Sequence, residues 1–207
     1  MNPKFSLRFL LADVVTLAAL AVSALGQGSM PAGRGLNGTN YLSPTYLYSR
    51  IDDGPPDAYH GFGLRYNQVL APRFDLIVTG SVSRSERFAG SRARQTGFDA
   101  GVRWHTDIGS ARPFVEATIG GTWFDFGGFE DNSFTYAAGL GAEFQVTGNF
   151  SLAPMIGYSD ATDFPDSGDA FLVLRSNYWL NERWSIRVNV SIDEDGPGLG
   201  AGVAWAF

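Results

Sequence analysis

The chain closes on Leu199-Gly200-Ala201-Gly202-Val203-Ala204-Trp205-Ala206-Phe207, an alternating run that stops on an aromatic residue. Leu199, Ala201, Val203, Trp205 and Phe207 share one face, while Gly200, Gly202, Ala204 and Ala206 share the other. Successive side chains of a strand point to opposite sides, so this is a strand with one large-residue face and one small-residue face. The same period of two runs back to Asn40, broken at intervals by turn residues. It predicts ten strands, at roughly 40–50, 58–69, 73–85, 94–105, 112–125, 133–146, 149–160, 169–180, 183–193 and 198–207. No stretch of that region keeps a helical period. Strands of about 10–13 residues match the length needed to cross a bilayer at a tilt. Eight strands is the fallback count and requires merging two segments.

The connections alternate in length. Leu70-Ala71-Pro72, Thr106 to Ala111, Thr147-Gly148 and Asn181-Glu182 are short, whereas 51–57, 86–93, 126–132, 161–168 and 194–197 are longer and polar. One apolar face runs through most strands: Phe74, Leu76, Val78 and Val82; Phe134, Tyr136, Leu140 and Phe144; Trp184, Ile186, Val188, Val190 and Ile192. The opposite face carries Gly, Ser, Thr and Asn with few charges, unlike the Lys- and Glu-rich surface of a soluble domain. Lys4 is the chain's sole lysine, although lysine commonly protects exposed sheet edges and faces. Aromatic residues gather at strand ends, as in the interfacial girdles of membrane barrels. A charge at a lipid-facing midplane position costs about 2–4 kcal/mol, and the apolar face of the predicted spans is expected to be free of them. The reading is an all-β, closed antiparallel transmembrane barrel, with short periplasmic turns, longer extracellular loops and both termini periplasmic. A soluble sandwich or lipocalin-like barrel is the competing reading of the alternation.

From Asn40 onward the chain resembles the small bacterial outer-membrane β-barrel family (OmpA- or OmpX-like domains and related porin-family proteins). The terminal Gly202, Trp205 and Phe207 resemble the family's C-terminal assembly signal. That resemblance implies a bacterial outer-membrane address, outer-membrane lipid and lipopolysaccharide as surroundings, the outer-membrane assembly machinery as a partner during biogenesis, and a monomer. It departs from the best-known members, which have eight strands, and it fixes no activity.

The N-terminus reads as a secretory signal peptide over 1–26: Lys4 and Arg8 precede an apolar stretch from Val14 to Leu25 that is too short to span a membrane. Asp13 beside that stretch is atypical. Residues 27–39, glycine-rich with Pro31, read as a flexible lead-in, and 40–207 as the barrel domain. The 207-residue chain has net charge −6; loss of Lys4, Arg8 and Asp13 with the signal leaves 13 basic against 20 acidic residues, or −7. Such a balance argues against nucleic acid as a partner. With no cysteine and two histidines, no metal site or cofactor is expected.

Eight charges fall on the polar face within a few positions of the short turns: Arg65, Asp75, Asp99, Arg103, Glu116, Glu143, Arg175 and Arg187. They are expected to form one layer in the periplasmic half of the lumen. Two readings remain: a structural plug of paired charges, which a narrow ten-stranded lumen favours, or a charged constriction that passes ions or small solutes. Small residues above the layer (Gly61, Gly63, Thr79, Ser81, Gly97, Thr122, Thr135 and Ser191) leave room for a wet vestibule. No catalytic set is expected. His105 lies beside a short turn, and His60, though near Asp52, Asp53 and Asp57, shares its face with Phe62 and Leu64. The long loops are acidic except the second, where Arg84, Arg87, Arg92 and Arg94 cluster. These arginines are candidate contacts for lipopolysaccharide phosphates. The acidic loops match no defined Ca²⁺ spacing.

Overall fold

The computed structural model describes residues 35–51, 57–87, 90–162 and 168–207. The expected signal peptide 1–26, residues 27–34 of the expected lead-in, and Asp52 and Asp53 lie outside them. Ten strands form a closed antiparallel barrel: β1 Tyr41–Arg50, β2 Ala58–Ala71, β3 Phe74–Ser85, β4 Ala93–His105, β5 Ala111–Phe126, β6 Phe129–Thr147, β7 Phe150–Ala161, β8 Asp169–Trp179, β9 Trp184–Ile192 and β10 Pro197–Ala206. Each strand pairs with its sequence neighbours, and β1 closes on β10 from Tyr41↔Ala206 to Ser49↔Gly198. Closure leaves no edge in the ring, the one sheet solution that satisfies all backbone polar groups in lipid.

Closure also explains Gly202. A Cβ there would stand 2.2 Å from the Pro44 carbonyl oxygen and 2.8 Å from Thr45 Cα. The closing seam therefore needs a residue with no side chain.

One end of the barrel carries the short connections 72–73, 106–110, 148–149 and 180–183 together with the start of β1 and the end of β10 (the terminal end). The other carries 51–57, 86–92, 127–128, 162–168 and 193–196 (the loop end). The turn between β8 and β9 is held by Asn181, whose Oδ1 accepts from Arg183 N at 2.9 Å and Trp184 N at 3.0 Å. The third connection at the loop end differs from the sequence expectation. The predicted loop 126–132 is a two-residue turn, Gly127-Gly128, with φ of 62° and 93°. Positive φ at both central residues suits a tight hairpin, and glycine adopts it without steric cost. Glu130, Asp131 and Asn132 therefore belong to β6, and β5 and β6 reach 16 and 19 residues against 9 and 10 for β9 and β10. One wall stands well above the other.

The alternation sorts the two faces as expected in the main. Phe62, Leu64, Phe98, Val115, Ile119, Leu140, Ile156, Leu174, Ile186 and Val203 are exposed on the outside. Trp184, Trp205 and Phe207 continue this belt at the terminal end, where Phe207 stacks on Tyr66 at 6.2 Å. Two corrections apply. The outer face is not free of charge: Arg84, Arg94, Asp125, Glu130 and Asp160 point outward, each within two positions of its strand's loop-end limit. Nor is the inner face uniformly polar. Ile77, Phe114 and Met155 are buried there, and Phe171 and Val173 pack on Phe114 and Met155 along the β5, β7 and β8 wall.

Candidate functional site in the lumen

Register builds the centre of the site. Asp75 on β3 lies opposite Arg103 on β4, and Arg103 lies opposite Glu116 on β5. This row of alternating charge on three adjacent strands is favourable across a ladder. Arg65 on β2 and Arg175 on β8 reach across the lumen to the same carboxylate. Glu116 Oε2 accepts from Arg65 Nη2 at 3.1 Å, Arg103 Nε at 3.1 Å, Arg103 Nη2 at 2.6 Å and Arg175 Nη1 at 3.1 Å. Its Oε1 accepts from Arg175 Nη2 at 3.3 Å. One acid thus serves three guanidiniums. Arg103 is 1 % exposed and Asp75 is fully buried, a depth at which an uncompensated charge is very costly.

The other expected members are placed differently. Glu143 meets no arginine in hydrogen-bonding geometry among the described residues; it accepts Leu36 N at 2.9 Å, Asn37 N at 3.2 Å and Ser151 Oγ at 3.0 Å. Arg187 lies over the Tyr41 ring, 5.2 Å from its centre. Asp99 stands apart, nearer the loop end, and accepts from Thr135 Oγ1 at 3.1 Å. The expectation of one layer of eight mutually paired charges is therefore corrected to a five-member network (Arg65, Asp75, Arg103, Glu116, Arg175) with three outliers. Register sets Asp99 apart: it lies four residues from Arg103 toward the loop end, opposite Thr79 and Gly120, about 13 Å along the strand.

Backbone from the N-terminal segment completes the set. Residues 35–39, expected to be part of a flexible lead-in, enter the terminal mouth. Leu36 packs with Tyr41, Trp179, Ala204 and Ala206. Gly38 N donates to Asp75 Oδ2 at 2.9 Å, Asn37 Oδ1 accepts from Arg103 Nη1 at 2.5 Å, and Arg112 Nη1 donates to the Asn37 carbonyl. Asn67 Nδ2 donates to Thr39 O at 2.9 Å. Arg112 also pairs with Asp107 at 2.6 Å, and His105 Nε2 lies 3.4 Å from Asp75 Oδ1. Sequence reasoning missed Asn37, Asn67, His105 and Arg112 as members. His105 shares the inward face of Arg103, two positions on, so parity alone flags it.

Between this segment and the network the open space is about 20 Å³, bounded by Leu36, Asn37, Tyr41, Arg103, Glu143, Arg175 and Arg187 among others. That holds about one water. On the loop-end side of Arg65, Arg175 and Arg187 a cavity of about 420 Å³ opens, walled by Thr45, Ser81, Ser83, Asn189 and Ser191 and by Gly61, Gly63 and Gly200. His60 is outside the lumen. Its Nδ1 is 2.6 Å from Tyr46 Oη and its Nε2 3.9 Å from Glu86.

No family model and no curated protein matches the chain. Among solved structures it is similar to Neisserial surface protein A (14% identity, 81% of this chain and 97% of that one, TM-score 0.45). It is also similar to the translocator domain of the autotransporter NalP from Neisseria meningitidis (12%, 95% and 96%, 0.48). A third is Ail, the attachment invasion locus protein of Yersinia pestis (16%, 83% and 100%, 0.39). These are likenesses of fold and assign no activity.

Proposed function

We propose that this chain is an exported barrel of the bacterial outer membrane, non-enzymatic, with a structural or surface-interaction role and a lumen closed toward the periplasm. The membrane reading rests on the exposed apolar belt, far larger than the apolar patches a monomeric soluble protein tolerates. Its edges are marked by Trp184, Trp205 and Phe207 at one end and by outward charges at the other. Short connections at the terminal end and mostly longer ones opposite fit the periplasmic and extracellular sides of such barrels.

The single observation that carries the closed reading is the seating of residues 35–39. Their backbone N–H groups occupy Glu143 and Asp75, and Leu36 fills the mouth. Both histidines have places that need no chemistry: His105 against Asp75, His60 on the outer rim. A narrow passive pore for ions or small solutes is the second reading, favoured by the arginine-floored cavity beyond the network.

Planar-bilayer recording separates them. Wild-type protein is expected to give little or no conductance, whereas Leu36→Asp, which places a charge among Tyr41, Trp179 and Ala204, is expected to open discrete steps. Stable, ion-selective channels from the wild type would reverse the order.

At the rim we propose lipopolysaccharide as the partner. Arg84 and Arg94 are directly opposed on the outer face; like charges so placed repel, and a shared phosphate relieves that. Arg87 and Arg92 are exposed in the adjoining loop.

A further inference from the structure

We propose that the loop-end cavity is a binding site for a small hydroxylated anion, a sugar phosphate or sugar acid, held by Arg187 and Arg65 against a wall of hydroxyl and amide groups. The site goes beyond the structural role above and does not depend on whether the lumen conducts.

The charge balance comes first. Arg65, Arg175 and Arg187 line the cavity, and no acidic side chain does so among the described residues. Below it Glu116 is divided among Arg65, Arg103 and Arg175, and Arg187 has no ion pair among the described residues. The floor therefore carries an excess of positive charge in a space walled by protein, where field lines are focused and anions concentrate.

Unmet hydrogen-bonding capacity comes second, and it is independent of charge. The Nε groups of Arg65 and Arg187 are buried without a partner. Arg187 is 3 % exposed, so its orphan donor has little access to bulk water. A buried donor left unmade is costly, and a small turn of either guanidinium toward the cavity lets an anion oxygen satisfy it with a charge-assisted bond. Asn189 Oδ1, on the same wall, is an orphan acceptor. A cavity whose lining residues hold both unmet donors and an unmet acceptor suits a ligand that brings hydroxyls as well as negative charge.

The wall is the third element. Thr45, Ser49, Thr79, Ser81, Ser83, Gln95 and Ser191 present hydroxyl or amide groups, and Gly61, Gly63, Gly198 and Gly200 keep the space open. A volume of about 420 Å³ lies within the range of small-molecule sites, and Leu47, Tyr48, Tyr59 and Val173 add apolar surface on which a sugar ring can rest. The cavity runs from Ser49, Tyr59 and Gly198 near the loop end down to the arginines, so the anion enters from that side.

Isothermal titration of the refolded full chain in detergent micelles tests the site, with glucose 6-phosphate, glucuronate, inorganic phosphate and neutral glucose as probes. Saturable binding of glucose 6-phosphate, glucuronate or both, with none of glucose, is expected, and the two arms identify whether phosphate or carboxylate is preferred. Arg187→Gln should weaken that binding at least tenfold, and Asn189→Leu, which leaves every charge in place, several-fold. Folding of each variant is checked by its heat-dependent gel shift. Asp99→Asn, away from the floor, should bind as wild type does. Absence of saturable binding to both charged probes overturns the proposal, as does wild-type affinity in both Arg187→Gln and Asn189→Leu. Inorganic phosphate binding as tightly as either sugar derivative overturns the assignment to a hydroxylated ligand.

Discussion

Glu116 accepts bonds from three arginines, and that asymmetry makes it the most sensitive residue of the lumen. Removing one partner of a buried ionic network leaves the others desolvated and unpaired, at about 3–5 kcal/mol. Glu116→Gln is therefore expected to lose that much stability in urea unfolding of micelle-bound protein. Asp99→Asn, which touches a single hydroxyl at 3.1 Å, should lose no more than about 1 kcal/mol. Equal losses would mean that the network is no hub. Parity made these charges legible in the sequence, because the inward face of each strand follows from counting by two. Choice of partner was not legible. Glu143 is satisfied by backbone N–H groups 106 and 107 positions away, and no side-chain pattern announces a backbone donor. Ile77 and Phe114 escaped for a different reason: parity puts them on the inward face beside Asp75 and Glu116, but a lumen expected to be polar offered apolar side chains no place there.

Strand boundaries were legible wherever turn chemistry was local. Ten expected segments correspond to ten strands, and the largest error, at the start of β6, follows from treating Glu130, Asp131 and Asn132 as loop because they are polar. Those residues extend a hairpin past the apolar belt, where polarity is no bar to strand pairing; Gly127-Gly128 was the local signal. The N-terminal segment erred the other way, since glycines at 35 and 38 suggest flexibility but here let the chain approach Glu143 and His105 closely. At this scale the rim arginines also make a prediction. Arg84 and Arg94 on facing strand ends, with Arg87 and Arg92 beside them, form a basic sector on an otherwise acidic loop end. Each charge-assisted contact to phosphate is worth about 1.5–3 kcal/mol before solvent screening. Changing all four to glutamine should reduce the lipopolysaccharide retained through detergent purification at moderate salt. Unchanged retention would leave them as solvated charges.

The whole molecule pairs a closed ring with an uneven rim, and the ring's seam joins the first strand to the final one. Phe207 sits where that seam ends: its N–H donates to Asn40 O at 3.2 Å, and its ring meets Trp205 and Tyr66. The ring is 56 % exposed on the outer face, so it adds little to the packed interior. Deleting it removes one hydrogen bond, about 1 kcal/mol, and two aromatic contacts of about 0.5–1.5 kcal/mol each. A finished barrel tolerates such a loss. If Phe207 serves as an assembly signal, the deletion acts mainly before closure. The protein refolded in detergent should then lose at most a few kcal/mol in urea, while the amount of heat-modifiable barrel in the outer membrane of producing cells falls many-fold. Normal levels of folded protein in cells would remove the signal reading, and a collapse of stability in vitro would recast Phe207 as a structural clamp on the β1–β10 seam.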